Sequence, residues 1–218
     1  MKHPPPPGQT PAKTQRAGRL RRVKMTNDFI DTMTNEAIEK IFFTFRERGH
    51  EEYHGEPVSQ LEHAFQTAEL AKKGHPNDPD FILAAFLHDF GHLCETESGD
   101  MGGYGTWDHE EVGAKTLRSW GFSEKITRLV ANHVYAKRYL VSTDPLYFAD
   151  LSPASKITLI KQGGLLSAEE QRDFEKDPLF ELHIALRRLD EQAKVEGKPV
   201  SDLTWLEDLM REHPSSNQ

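Results

Sequence analysis

Six residues have the side chains of metal ligands and sit beside apolar neighbours: His63, His88, Asp89, His109, His133 and Asp190. The densest stretch is His88-Asp89-Phe90-Gly91-His92, which closes the apolar run from Phe81 to Leu87. An imidazole and a carboxylate at the end of a buried segment need partners, and a metal ion satisfies both at once. Taken singly each signal is weak. A lone histidine on an apolar helix face is more often a satisfied core residue, the expectation for His183, and Asp190 beside Arg187 and Arg188 could be a surface acid. Six in the order His, His-Asp, His, His, Asp are harder to ascribe to chance. Four imidazoles and two carboxylates without thiolate suit iron, manganese or zinc rather than calcium. Because an aspartate can bridge two ions, the set divides into two sites sharing Asp89.

The elements that would position these residues read as helices. Ala37, Ile38, Ile41, Phe42 and Phe45 recur at helical spacing to about Arg48. A loop with Tyr53-His54-Gly55-Glu56 leads to Ser59, whose capping box with Glu62 opens a helix ending at a C-cap, Gly74. Asp78-Pro79 starts the helix that runs into the central motif. After the glycine-rich stretch Met101-Gly-Gly-Tyr-Gly105, a helix is expected from His109 to Trp120 and another, capped by Ser123, through His133. Ser152-Pro153 opens a short helix with Ile157 and Ile160, Ser167 and Glu170 form a second capping box, and Asp177-Pro178 opens a helix through Asp190. An amphipathic helix covers Leu203 to Met210. No alternating strand pattern or internal repeat stands out. The expected class is all-α, a helical bundle with a buried dinuclear metal site, because packing helices that each carry one ligand brings those ligands into the core.

Bulk properties narrow the function. The chain of 218 residues suffices for one domain. Mean hydropathy is -0.67, and no apolar run nears the roughly 18 residues of a membrane span. The single cysteine, Cys94, excludes an internal disulfide and fits a reducing, cytoplasmic setting. Net charge is -8, yet residues 1–24 hold seven Lys/Arg, no acid and a Pro4–Pro7 run. They are expected to be a disordered basic tail, or translated sequence ahead of a start at Met25, since no apolar stripe marks a targeting peptide. The domain is then 25–218, and so acidic a body does not attract nucleic acid. An anionic ligand would need locally placed cations. Lys137 lies four residues after His133 and Arg187 three before Asp190, one helical turn from each proposed ligand; apart from that pairing, both would pass for ordinary surface charges.

At these residues the chain resembles a family. His63, His88-Asp89 and Asp190 look like the HD-domain superfamily of mostly metal-dependent phosphohydrolases, and His109, His133 and Gly91-His92 are similar to its two-metal branch. Tyr53-x-x-Glu56, Gln60-Leu-Glu-His63, Met101-Gly-Gly-Tyr-Gly, Asn132-His133 with Ala136-Lys-Arg-Tyr139, and Asp177-Pro-Leu-Phe-Glu181 resemble the phosphonate-cleaving HD-domain oxygenases, over about residues 35–195. The resemblance implies a mixed-valent Fe(II)/Fe(III) pair with O2 as co-substrate. His63, His88, Asp89 and Asp190 would hold one iron, and Asp89 would bridge to a second held by His109 and His133. Tyr53 would plug an open position of the second iron until substrate arrives. Glu56 would face a cationic nitrogen. His92, Lys137, Ser155, Thr158 and Arg187 would hold the phosphonate.

The implied reaction is oxidative C–P cleavage of a 1-hydroxy-2-(amino or trimethylammonio)ethylphosphonate, giving glycine or glycine betaine plus phosphate. Such a substrate supplies all the electrons, so no reductase partner is obligatory. A monomer or weak homodimer is expected. Two rivals remain: a two-metal HD phosphohydrolase that activates water against a phosphate ester or nucleotide, and a non-catalytic HD binding module. Tyr53-x-x-Glu56 and the Gln60–His63 stretch argue against the first, the completeness of the six ligands against the second.

Overall fold

The computed structural model describes residues 35–212, so the expectation for residues 1–24 lies outside the described residues. Ten α-helices and one turn of 3-10 helix make up the described chain, and its only β-features are two isolated bridges. The helices are α1 (35–48), α2 (Gln60–Gly74), α3 (Pro79–Leu87), α4 (His109–Ser119), α5 (Glu124–Thr143), α6 (Pro145–Asp150), α7 (Pro153–Lys161), α8 (Ala168–Phe174), α9 (Phe180–Gln192) and α10 (Thr204–Glu212). The all-α expectation holds.

Helix α3 is the axis of the bundle. Every residue from Phe81 to Leu87 is buried, and α2, α5, α9 and α10 pack around it. Burying each large apolar side chain contributes about 1.5–3 kcal/mol relative to exposure. Phe81, Ile82, Leu83, Phe86 and Leu87 together carry His88 and Asp89 beneath the surface. Phe86 packs against Phe42 and Phe45 of α1, with ring centroids 6.1 and 4.6 Å apart. Phe90 extends the cluster to Phe45 and Trp120. Helix α1 therefore backs the central motif and contributes no ligand.

Helix starts follow the capping residues. Ser59 and Ser167 form complete capping boxes, and Asp78, Ser123 and Ser152 each accept a backbone N–H three residues on. Three readings shift. Gly74 is not the expected C-cap: it is the last residue of α2, and the cap is His75, whose N–H reaches the Ala71 carbonyl. Asp177 does not cap α9. It accepts from the Leu179 N–H and the Arg128 guanidinium, and the helix begins at Phe180. Ile160 is exposed, so α7 turns its other face inward. The sequence reading also passed over α6, although Asp144-Pro145 carries the same cap signal as Asp78-Pro79.

Candidate metal centre

The end of α3 with the 3-10 turn Phe90–Leu93, the first turn of α2, the middle of α5, the start of α4 and the last turn of α9 converge on one buried cluster. His63, His88, Asp89, His109, His133 and Asp190 are all buried within it. Asp89 sits at its centre with its two oxygens turned to different imidazole pairs. Oδ2 lies 3.6 Å from His63 Nε2 and 3.3 Å from His88 Nε2. Oδ1 lies 3.2 Å from His109 Nε2 and 3.1 Å from His133 Nε2. Within each pair the Nε2 atoms are 3.1 Å apart. Asp190 Oδ1 completes the first group, 3.4 Å from His63 Nε2. An ion that binds nitrogen at about 2.1 Å holds neighbouring ligand atoms about 3.0–3.4 Å apart, so both groups have ligand-cage dimensions.

The hydrogen bonds behind the rings fix their chemistry. Nδ1 of His63, His88 and His133 lies 2.8–2.9 Å from the carbonyls of Ala193, Ala85 and Val130. A carbonyl only accepts, so each Nδ1 carries a proton and each ring turns Nε2, the nitrogen left for a metal ion, inward. His63 and His88 point their Nε2 atoms at each other at 3.1 Å, a contact that needs a proton or a metal ion between the two nitrogens. Asp190 Oδ1 is buried without a hydrogen-bond partner. The side-chain set therefore fits metal ions. Charge behaves accordingly: burial opposes ionisation of Asp89 and Asp190, but neighbouring histidines, and for Asp190 also Arg187, hold both well below the usual carboxylate range.

A cavity of about 50 Å³ adjoins the cluster on one side. Its wall includes Asp89, His109, His133 and Asp190, whereas His63 and His88 do not reach it. The second group is thus the accessible one. Tyr53, also in the cavity wall, sits on the side of the first group rather than the second, where the plug was expected: its hydroxyl donates to Asp89 Oδ2, the oxygen turned to His63 and His88, at 2.7 Å, and its ring stacks on His63 at 4.0 Å. Opposite lies a cationic wall. Lys137, 3% exposed, donates to Thr158 Oγ1 at 3.0 Å. Burial, with Arg187 close by, lowers its ammonium to about 7. Arg187, 4% exposed, is oriented by the Tyr147 hydroxyl at 2.8 Å and paired with Asp190 and Glu191. His92 stacks on His109 and accepts the Thr106 N–H at its Nδ1. Burial, with His109 alongside, holds its pKa well below the usual value, so the neutral ring keeps its proton on Nε2 and is a donor.

Every residue proposed from the sequence as a ligand or substrate contact lies in this region. Tyr53, Glu56, His92, Lys137, Ser155, Thr158 and Arg187 line the cavity with four of the six proposed ligands. His183 stands apart, stacked on Phe174 and 3.4 Å from Asp177. Trp107 is not in the lining, whereas Tyr104 is. Sequence reasoning missed His54, Gln162 and Lys194, which also line the cavity. His54 accepts from Gln60 and packs against His92. Its neighbour in space, Gly105, has φ +92°, and a Cβ there would lie 2.4 Å from His92 and 2.8 Å from His54, so the glycine-rich loop closes over both rings. Lys194 follows Asp190 by four residues, the same spacing that flagged Lys137; it was overlooked because it falls beyond the helix end.

The HD domain family matches residues 60–162. The chain is 40% identical over 183 residues to an uncharacterized protein of Acanthamoeba polyphaga mimivirus, covering 83% of each chain. It is 39% identical over 170 residues to a hydroxymethylphosphonate dioxygenase of Gimesia maris, covering 77% of this chain and 83% of that one. It is 46% identical over 160 residues to a 1-hydroxy-2-(trimethylamino)ethylphosphonate dioxygenase (glycine-betaine-forming) of Leisingera caerulea, covering 72% of this chain and 80% of that one.

Proposed function

This chain belongs to the HD-domain family that includes these two phosphonate dioxygenases, and from that premise we propose that it is an oxygenase cleaving the C–P bond of a 1-hydroxyphosphonate. The names of the two relatives differ in the group on C1, absent in one and trimethylaminomethyl in the other; the reaction proposed here is common to both. One O2 and the substrate give a carboxylate and phosphate. The C–P and C1–H bonds break, and the substrate supplies all four electrons, so the overall balance requires no external reductant.

The observation that carries this reading is the asymmetry of the cluster. Asp89 turns one oxygen to a closed imidazole pair and the other to a pair that borders a cation-lined cavity. His63, His88, Asp89 and Asp190 would hold one iron of a mixed-valent pair; Asp89, His109 and His133 would hold the other. When bound, the two ions would supply oxygen activation and the redox capacity of the site.

The protein's own groups bind and orient. Lys137 and Arg187, with the Ser155 and Thr158 hydroxyls and the His92 Nε2–H, form a donor set for a phosphonate dianion. Tyr53 lines the cavity and would give up its hydrogen bond to Asp89 Oδ2 if substrate displaced it. Burial, with Asp89 alongside, raises its pKa well above the usual range, so the hydroxyl keeps the proton it donates to Asp89. Glu56, also in the cavity lining, would face the group on C1.

The test is phosphate release from 1-hydroxyphosphonates by iron-loaded protein, with and without oxygen. Release that needs oxygen, with stoichiometric carboxylate formation, is expected. Equal release under strict anaerobiosis would instead identify a hydrolase.

A further inference from the structure

Glu56, the residue positioned for the group on C1, already has a cation. Its Oε1 lies 3.0 Å from Lys194 Nζ and also accepts from the Ser152 hydroxyl. The two side chains are only 9% and 11% exposed. Lys194 also donates to Ser155 Oγ at 3.2 Å and lies 3.5 Å from Glu191 Oε2. An ammonium has three protons, and Glu56, Ser155 and Glu191 offer three acceptors. The pair is therefore satisfied by groups of the protein alone.

We propose that Lys194 determines which 1-hydroxyphosphonates the site accepts: its ammonium holds the carboxylate that a substrate's cationic nitrogen would need, so the site favours substrates whose C1 group carries no positive charge. The inference rests on the phosphonate oxygenase reading above. A cationic substrate has to displace Lys194 from Glu56 or share one carboxylate with it, and two ammonium groups at that separation repel strongly away from bulk water. An uncharged group on C1 leaves the ion pair intact.

Two further features point the same way. A methylated ammonium is bound by facing aromatic rings, but apart from histidines the aromatic residues lining the cavity are Tyr53 and Tyr104. The cavity, about 50 Å³, also suits a small substrate. Hydroxymethylphosphonate, which would give formate and phosphate, is the smallest member of the class.

The experiment compares kcat/KM of the full iron-loaded chain for hydroxymethylphosphonate, 1-hydroxy-2-aminoethylphosphonate and its trimethylammonio analogue. The wild type should prefer the uncharged-tail substrate. Lys194→Met should raise the ratio of cationic to uncharged substrate by about tenfold or more, through KM rather than kcat, by leaving Glu56 free. Lys194→Gln keeps donors for Glu56 and Ser155 and should give the same direction if Lys194→Met folds poorly. Adding Glu56→Gln to either variant should cancel the gain. A wild type that prefers the cationic substrates, or a ratio unmoved by both substitutions, overturns the proposal. If none of the three releases phosphate, the oxygenase reading fails on its own. Anaerobic equilibrium dialysis of the same compounds against wild type and variants then still reads the ratio as binding constants, and an unchanged ratio there rejects the role of Lys194.

Discussion

At the scale of single residues, Lys137 shows how position changes chemistry. On an exposed helix it would be an ordinary charge; here burial first, then Arg187, lowers its pKa from 10.5 to about 7. Two bound metal ions would push it further in the same direction. If the protonated form grips the phosphonate, kcat/KM, which reports the free enzyme, should fall as pH rises through about 7 or slightly below. Lys137→Met should lower kcat/KM by roughly ten- to a hundredfold, the size of a lost charged hydrogen bond, and remove that limb of the pH profile. A profile unchanged in the variant would assign the limb to another group. The stability effect has the opposite slope. Between pH 7 and 10.5 the unfolded chain binds the extra proton, so this residue makes folding more favourable as pH rises across that window.

At the scale of elements, the decisive join is between the 3-10 turn after α3 and the first turns of α4. Gly91 lies so close to α4 that an added Cβ would sit 1.9 Å from the His109 carbonyl and 2.8 Å from the Gly113 nitrogen. Both neighbours are backbone, so nothing can rotate away. This contact brings His109 within 3.2 Å of Asp89. Gly91→Ala should therefore force the turn and α4 apart, costing about 1–3 kcal/mol or more as an overpacked core does, and should loosen the second metal group before the first. The check is metal content per chain beside a thermal melt: loss of about one of two ions with the fold retained is the expected result, and full retention of both would contradict it. Gly113, packed 3.1 Å from Gly91 through its own virtual Cβ, explains why two glycines face each other there.

At the scale of the whole molecule, the bundle encloses acceptors that need cations. Metal should consequently act as a folding ligand, stabilising by about 2.7 kcal/mol at a hundredfold excess over Kd. For a chain of this size that corresponds to a rise of about 5–10 °C in Tm. Chelation should reverse it, and readdition of iron should restore it; a melting temperature indifferent to chelator would argue against buried metal. The same packing explains why the N-terminal half of the cluster is closed. Helices α2 and α3 bury His63 and His88 completely, while α4 and α5 deliver His109 and His133 to the edge of a cavity that α7 and α9 line with Ser155, Thr158 and Arg187.

The sequence by itself determined the class, most helix boundaries and the identity of the six clustered residues, because helical periodicity, caps and ligand-type side chains are local features. It could not separate Lys137 and Arg187 from surface charges except through their spacing to His133 and Asp190; burial, which decides it, arises from contacts between helices distant in the chain. Nor could it find Lys194 with Glu56, partners 138 residues apart. Which oxygen of Asp89 faces which imidazole pair, and which pair meets the cavity, depends on how α2, α4, α5 and α9 pack around the end of α3. Long-range packing sets those distances, and no stretch of sequence carries them alone.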